Sequence, residues 1–218
     1  MSPSEPASVS SELDPTTSRP GILAAKVVGG VAVVGVGAAV ALRGVSEREE
    51  DLFGALNRGT DGLEWVLWTP MQTGSLFGPV VLGAVTWKRW HRWRPSVGSV
   101  VAGVTAWQLA KVVKDRVRRG RPYEVVDNFA RRAGTPLDGL GFPSGHSAVA
   151  FTLASACSPY LGRGGRIGAY GLAALVGFSR IQVSAHLPLD VVAGAALGYS
   201  VGNAWNLVVG VPADKGGG

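Results

Sequence analysis

Residues 141–162 have the sequence GFPSGHSAVAFTLASACSPYLG, which contains no Asp, Glu, Lys or Arg. Similar charge-free stretches occupy residues 27–42, 65–87, 95–110 and 191–213, and a shorter one occupies residues 167–179. A helix crosses a bilayer with about 20 mostly apolar residues. The sequence therefore predicts six membrane-spanning helices, at about 22–42, 64–87, 96–113, 146–161, 166–183 and 188–210.

The composition of the 218-residue chain agrees with a membrane domain. Hydrophobic residues make up 46% and charged residues 17% of the chain, which is too apolar for a disordered protein. Cys157 is the single cysteine, so an internal disulfide is excluded. A soluble protein with buried helices is the alternative, but the charge-free stretches have little amphipathic periodicity and leave few polar faces for water.

The chain is expected to form one domain between two polar tails. Residues 1–20 are rich in Ser, Pro and Thr and predict a disordered tail, residues 21–211 form the domain, and residues 212–218 are a polar end. A signal peptide cleaved after residues 39–41 is an alternative, but the apolar stretch begins late and is long. Residues 46–57 predict a short interfacial helix whose charges form a solvated face.

Glycines recur in the first and last predicted spans. Small residues on one face of a helix let two backbones approach closely in lipid. We therefore predict a packing role, and no chemical role, for these glycines: Gly29, Gly30, Gly35, Gly37, Gly194, Gly198 and Gly202.

Three clusters of chemically capable residues lie at span ends. They are KDRVRRGRP at 114–122, PSGH at 143–146 and SRIQVSAHLPLD at 179–190. Because consecutive spans alternate in direction, the ends of the third and fifth spans and the starts of the fourth and sixth lie on one membrane face. The three clusters are therefore expected to meet there.

The types of residue in the clusters indicate phosphoryl transfer. Lys114, Arg121 and Arg180 provide cations for phosphate oxygens. Ser144 is the predicted N-cap of the fourth span, and the amide groups of Gly145 and His146 would form an anion site at the helix N-terminus.

The two clustered histidines suggest covalent catalysis. A carboxylate at Asp190 could hold Nδ1–H of His186 and leave Nε2 free as a nucleophile, with His146 as general acid. His186 and Asp190 could instead be metal ligands. Three nearby cations argue against a divalent ion, so neither a metal nor another cofactor is expected.

The remaining basic residues are expected to have no catalytic role. Five arginines are predicted to contact the loop and lipid headgroups: Arg116, Arg118, Arg119, Arg131 and Arg132. His91 lies in the basic and aromatic sequence 88–94 and is predicted to be part of an interface anchor.

In this order, K-x6-R-P, P-S-G-H and S-R-x5-H-x3-D resemble the three signature motifs of the type 2 phosphatidic acid phosphatase (PAP2) superfamily. The resemblance implies an all-α bundle of six transmembrane helices with the active site at one membrane face. It also implies a metal-independent phosphatase in which His186 is the nucleophile, Asp190 orients it and His146 is the general acid. The residues implied to bind phosphate are Lys114, Arg121, Ser144, Gly145 and Arg180.

The expected function is hydrolysis of a lipid phosphate or polyprenyl pyrophosphate in the plasma membrane. A lipid phosphotransferase that uses the same site, and a non-catalytic lipid- or anion-binding membrane protein, are the alternatives. The net charge of +6 is concentrated in the loops, so no nucleic-acid partner is expected. The short basic loop 88–94 is predicted to be cytoplasmic, which places the site outside. The sequence does not indicate an oligomeric state.

Overall fold

The computed structural model describes residues 18–58, 62, 64–127, 130, 132–136 and 138–211, and this part of the chain contains helices but no strands. The prediction of an all-α fold is confirmed. The predicted tails, residues 1–20 and 212–218, lie almost entirely outside the described residues. The helices are α1 (Ser18–Ala41), α2 (Glu47–Asn57), α3 (Glu64–Thr73), α4 (Phe77–Trp90), α5 (Trp93–Val117), α6 (Pro122–Val125), α7 (Gly145–Cys157), α8 (Arg163–Gln182) and α9 (Pro188–Val209).

Apolar side chains cover much of the outside of the bundle, and its interior contains buried polar side chains as well as apolar ones. On α1, Val28 and Val36 are 68% and 66% exposed, whereas on α9 the amides Asn203 and Asn206 are buried. So many exposed apolar side chains are unusual for a soluble protein, and they indicate that lipid surrounds the bundle. By length and hydropathy, two helical segments among the described residues qualify as membrane spans, Pro20–Ala41 and Trp93–Val125. The predicted count of six spans is not confirmed by this criterion.

Helices α7 and α9 pack along a row of glycines. A Cβ atom at Gly194 or Gly198 would collide with the carbonyl oxygens of Ser144 or Ala148 on α7. Gly202 makes a similar approach to α7 one turn further along. The predicted packing role of these glycines is confirmed, because only a residue without a side chain allows the two backbones to come so close.

The glycines of α1 differ from one another. A Cβ at Gly30 would collide with Ser200 of α9, and one at Gly37 would touch Phe142. Gly29 and Gly35 have no atom within 4 Å of such a Cβ, so the prediction that they pack closely is wrong.

The predicted second span is not one helix. The chain leaves the helical conformation at residues 74–76, between α3 and α4. Gly74 and Ser75 donate their amide hydrogens to Met71 and Gln72, three residues earlier, which tightens and ends α3. A Cβ at Gly74 would lie 2.8 Å from the carbonyl oxygen of His146. The break therefore presses the backbone of Gly74 against the first turn of α7.

The glycine contact between α7 and α9 can be tested with a matched pair of alanine substitutions. Gly198→Ala should lower the free energy of unfolding by about 1–3 kcal/mol, because its methyl group meets a backbone carbonyl that cannot rotate away. Gly168→Ala adds the same methyl group in open space on α8 and should be neutral or stabilising by about 0.5–1 kcal/mol. Tryptophan fluorescence during thermal unfolding in detergent measures both, and equal midpoints would contradict the packing role.

Candidate active site

Main-chain and side-chain hydrogen bonds bring the three sequence clusters together. The amide of Ser144 donates to the carbonyl oxygen of Asp190 at 2.8 Å, which joins the second cluster to the third. The Arg121 guanidinium donates to the carbonyl oxygen of Ala185 at 2.9 Å, which joins the first cluster to the third. These two contacts confirm the prediction that the three clusters meet.

The second cluster forms the N-terminus of α7. Ser144 is the N-cap, and its hydroxyl oxygen accepts hydrogen bonds from the amide and the hydroxyl of Ser147. The first amide groups of a helix have no partner inside it, so those of Gly145 and His146 are available to an anion. Trp107 of α5 packs beside this turn, and its ring meets that of His146 edge to face with centroids 6.1 Å apart.

His186 lies in the turn between α8 and α9 and is 3% exposed. Its Nδ1 is 3.5 Å from Oδ2 of Asp190, which is fully buried in the first turn of α9. The predicted pair therefore lies side by side, but at this separation Nδ1 makes no hydrogen bond to the carboxylate and is a buried atom without a hydrogen-bond partner among the described contacts. Burial, and then the positive charges of Lys114 and Arg180, hold the pKa of His186 well below its usual range. The imidazole is therefore neutral at neutral pH.

The cations of the first cluster also shape the loop that precedes Pro143. Lys114 Nζ donates to the carbonyl oxygens of Leu140 and Gly141 at 2.8 and 2.9 Å. Arg121 Nε donates to Gly139 at 3.0 Å. Among the described contacts, Lys114 uses two of its three N–H donors and Arg121 two of its five, so both side chains keep donors for a ligand.

The third cation is deeper than the other two. Arg180 is 6% exposed at the end of α8 and donates to the sulfur atom of Met71. Lys114, Arg121 and His146 are only partly buried. In the candidate site, Arg180, His186 and Asp190 are therefore buried, and Lys114, Arg121 and His146 are partly exposed. No group of three or more possible metal ligands occurs among the described residues.

Residues 96–211, which include all three clusters, match the family model described as PAP2 superfamily. The chain belongs to the PAP2 superfamily. This confirms the family resemblance predicted from the three motifs. A comparison with curated proteins finds no match.

Two solved structures have a similar fold to this PAP2 protein. The first is a transmembrane PAP2-type phosphatidylglycerolphosphate phosphatase from Bacillus subtilis, with 23% identity and a TM-score of 0.66 over 83% of this chain and 94% of that chain. The second is Aquifex aeolicus LpxE, with 25% identity and a TM-score of 0.64 over 71% of this chain and 92% of that chain. Both likenesses support an all-helical PAP2 fold.

The candidate site contains one arginine that was predicted to lie at the membrane surface. Arg119 is 5% exposed, and its Nη1 donates to Oδ1 of Asp190 at 3.0 Å and to Oε1 of Glu49 at 3.1 Å. The prediction of a headgroup contact is therefore wrong for Arg119. Arg132 is half-buried and donates to the carbonyl oxygen of Gln182 at 2.8 Å. Arg116 and Arg118 are exposed as expected, and Arg131 lies outside the described residues.

Helix α2 supplies two further contacts that were not predicted. The carboxylate of Glu49 binds Arg119, while the exposed Glu47, Glu50 and Asp51 form the predicted solvated face. At the other end of α2, the buried amide of Asn57 donates to the carbonyl oxygens of Ile181 and Gln182, both at 3.0 Å. In the sequence around Glu49, the pattern Ser46-x-x-Glu49 predicts a capping box within α2 and does not predict the contact with Arg119.

The contact of Asn57 with the last residues of α8 predicts a large loss of stability on truncation. Asn57→Ala removes a buried amide that donates to two carbonyl oxygens of α8 and accepts from the amide of Ala130, and it should lower the free energy of unfolding by about 1–3 kcal/mol. Arg48→Ala changes an exposed side chain on the same helix and should stay within about 0.5 kcal/mol of the parent protein. Thermal unfolding of both variants in detergent measures the difference; similar losses would contradict the anchoring role of Asn57.

Proposed function

We propose that this PAP2 protein is an integral membrane phosphatase that removes the terminal phosphate of a lipid phosphate or polyprenyl pyrophosphate. The observation that carries the proposal is the pair His186–Asp190, buried beside His146 and three cations at one end of an apolar helical bundle. Anion binding requires the cations but not a buried neutral imidazole next to a carboxylate, and this argues for catalysis rather than binding alone.

In the proposed first step, Nε2 of His186 attacks the phosphorus atom. The new N–P bond forms as the bond from phosphorus to the lipid oxygen breaks, and His146 gives its proton to that oxygen. In the second step, water attacks the phosphohistidine, the N–P bond breaks, and His146 takes a proton from the water. The products are inorganic phosphate and a lipid alcohol, or a lipid monophosphate when the substrate is a pyrophosphate.

Charge stabilisation in both steps comes from the cations and the α7 N-terminus. Lys114, Arg121 and Arg180 would neutralise the non-bridging oxygens, and the amide groups of Gly145 and His146 would donate to them. Ser144 begins the helix and so sets the direction of these amides. Such fixed donors require no reorganisation during the reaction. The low pKa of His186 keeps its lone pair available at neutral pH.

An apolar groove supports a lipid substrate. It has a volume of about 390 Å³ and is lined by α3, α4, α7 and α8, from Thr73 and Ala150 to Thr86 and Leu161. The end of the groove at Thr73 and Ala150 lies next to Gly74, which approaches the backbone of His146. The end at Thr86 and Leu161 lies near the C-terminal ends of α4 and α7. A hydrocarbon chain in this groove would direct its phosphate toward His146.

The proposed membrane arrangement has six crossings, formed by α1, by α3 with α4, and by α5, α7, α8 and α9. The candidate site then lies at one membrane face, and the basic loop between α4 and α5 lies at the other. The short loop 91–92, with the basic residues Lys88 and Arg94 in the helix turns beside it, suits the cytoplasmic side of the plasma membrane. The site would therefore face the extracytoplasmic side.

The catalytic role of the histidines is tested on protein purified in detergent. Wild type should release inorganic phosphate from phosphatidic acid, phosphatidylglycerophosphate or a polyprenyl pyrophosphate in the presence of EDTA, and orthovanadate should inhibit it. His186→Ala should lower kcat by about 10³-fold or more, because the attacking atom is removed. His146→Ala should lower it by about 10²–10⁴-fold.

The exposed His91 provides the matched control, and His91→Ala should retain parental activity. Full activity of His186→Ala would contradict the mechanism. Phosphate transferred to a second lipid instead of released into solution would identify a phosphotransferase, and phosphate binding without turnover would identify a binding protein.

The orientation is tested with single cysteines in a Cys157→Ser background, since the native Cys157 is buried. Asp127→Cys lies in the exposed loop on the site's side of the bundle, and Lys88→Cys lies in the exposed last turn of α4, next to the opposite loop. An impermeant maleimide should label Asp127→Cys in intact cells and Lys88→Cys only after lysis. The reverse pattern would contradict an extracytoplasmic site.

A further inference from the structure

A chain of three buried charges leads from α2 to the proposed nucleophile. Glu49, Arg119 and Asp190 come from three different parts of the chain, and their side chains are 11%, 3% and 0% exposed. Arg119 binds both carboxylates: Nη1 donates to Asp190 Oδ1 at 3.0 Å and to Glu49 Oε1 at 3.1 Å, and Nη2 donates to Glu49 Oε2. The guanidinium is therefore fixed at two points by Glu49 while it holds Asp190.

The contacts of Asp190 fix the orientation of its carboxylate. Oδ1 accepts from Arg119, and Oδ2 accepts from the amide of Leu187 at 3.0 Å. With both oxygens held, Oδ2 is the atom that faces Nδ1 of His186 at 3.5 Å. A rotation of the carboxylate that moved Oδ2 away from His186 would have to break the contact with Arg119.

Glu49 ties the same network to the start of α9. Its Oε1 also accepts from the amide of Leu189 at 3.1 Å. Glu49 is the third residue of α2 after the N-cap Ser46, where a glutamate commonly bonds back to the N-cap amide. Here its carboxylate instead bonds Arg119 and the first turn of α9, so the contact serves the site rather than its own helix.

Stability alone is a weak reason for this arrangement. The free energy needed to remove two carboxylates and a guanidinium from water offsets much of the free energy gained from their attraction. Apolar residues of similar size therefore often stabilise a protein to the same extent. Exposed acids are available next to Glu49 on the same helix, yet this one is turned inward. The buried network is better explained by a need to place one carboxylate accurately.

We infer that Arg119 and Glu49 are positioning residues of the active site: Arg119 orients the Asp190 carboxylate against Nδ1 of His186, and Glu49 holds Arg119 in place. This inference rests on the proposed phosphatase function, in which His186 must present Nε2 to phosphorus. A held Nδ1–H fixes the tautomer that leaves the Nε2 lone pair free. Loss of either residue should therefore slow the chemical step and leave substrate binding nearly intact.

The experiment is a double-mutant cycle on kcat and KM with the lipid phosphate that wild type hydrolyses. Arg119→Met should lower kcat by about 10–100-fold, as loss of such outer partners typically does, with KM within about 3-fold of wild type. Glu49→Gln should lower kcat by a smaller factor. In an Asp190→Asn background, Arg119→Met should change kcat by less than about 3-fold, because residues that act through one another are not additive.

Two matched controls separate positioning from general damage. Arg116→Met and Glu50→Gln remove the same groups from exposed neighbours and should retain wild-type kcat. Size-exclusion chromatography in detergent identifies variants that fail to fold. If Arg119→Met fails to fold, Arg119→Lys takes its place, because it keeps the charge but loses the two-point contact, and the same loss of kcat is expected. Unchanged kcat in the folded Arg119 variant, or fully multiplicative losses in the cycle, would overturn the inference.

A second readout requires no turnover and distinguishes failure of this inference from failure of the proposed function. Orthovanadate should raise the thermal unfolding midpoint of wild type and of Glu50→Gln, and it should raise that of Arg119→Met by a smaller amount. If wild type hydrolyses none of the lipid phosphates, the proposed function fails, and the orthovanadate result alone decides the role of Arg119. An equal rise in all three proteins would show that Arg119 does not position the site.

Discussion

The close approach of α7 and α9 is the constraint on which the site depends. Both helices begin at the same end of the bundle, and the amide of Ser144, just before α7, donates to the carbonyl oxygen of Asp190 in the first turn of α9. Gly194 meets the backbone of Ser144 and allows this contact. The positive ends of two helix dipoles therefore point to one place, which favours an anion there before any charged side chain is counted. A side chain at Gly194 would separate the two helix starts and with them His146 and His186.

The described side chains around these helix starts have an excess of positive charge, which would favour a bound phosphate group. Arg119 is paired with the carboxylates of Glu49 and Asp190, whereas Lys114, Arg121 and Arg180 have no carboxylate bonded to their side chains among the described contacts, and His186 is neutral. The described side chains around the helix starts thus have an excess of positive charge, which a phosphoryl group would reduce. The same excess explains why a divalent cation is a poor alternative ligand, since it would add to the positive charge.

The sequence predicted those features that depend on local pattern or on span direction. The glycine repeat at residues 194, 198 and 202 predicted close packing, and alternation of spans predicted that Lys114 and Asp190 would lie at the same end. The break at residues 74–76 was not predicted. Gly74 approaches the carbonyl oxygen of His146, and a contact between residues so far apart in the chain leaves no local pattern. Arg119 looked like its exposed neighbours Arg116 and Arg118, since its partners Glu49 and Asp190 are 70 and 71 residues away in the chain.

Helix α2, which makes these contacts that were not predicted, lies outside the part of the chain that matches the family model. Residues 96–211 match the family model and include every motif, whereas Glu49 and Asn57 lie before that range. Yet Glu49 bonds the first turn of α9 and Asn57 bonds the last residues of α8, so α2 contacts both ends of the segment that contains His186. The turn 183–187 between α8 and α9 is buried, so its amides and carbonyls require hydrogen-bond partners. The family motifs thus supply the proposed reactive groups, and a helix outside the matched range supplies contacts on both sides of His186.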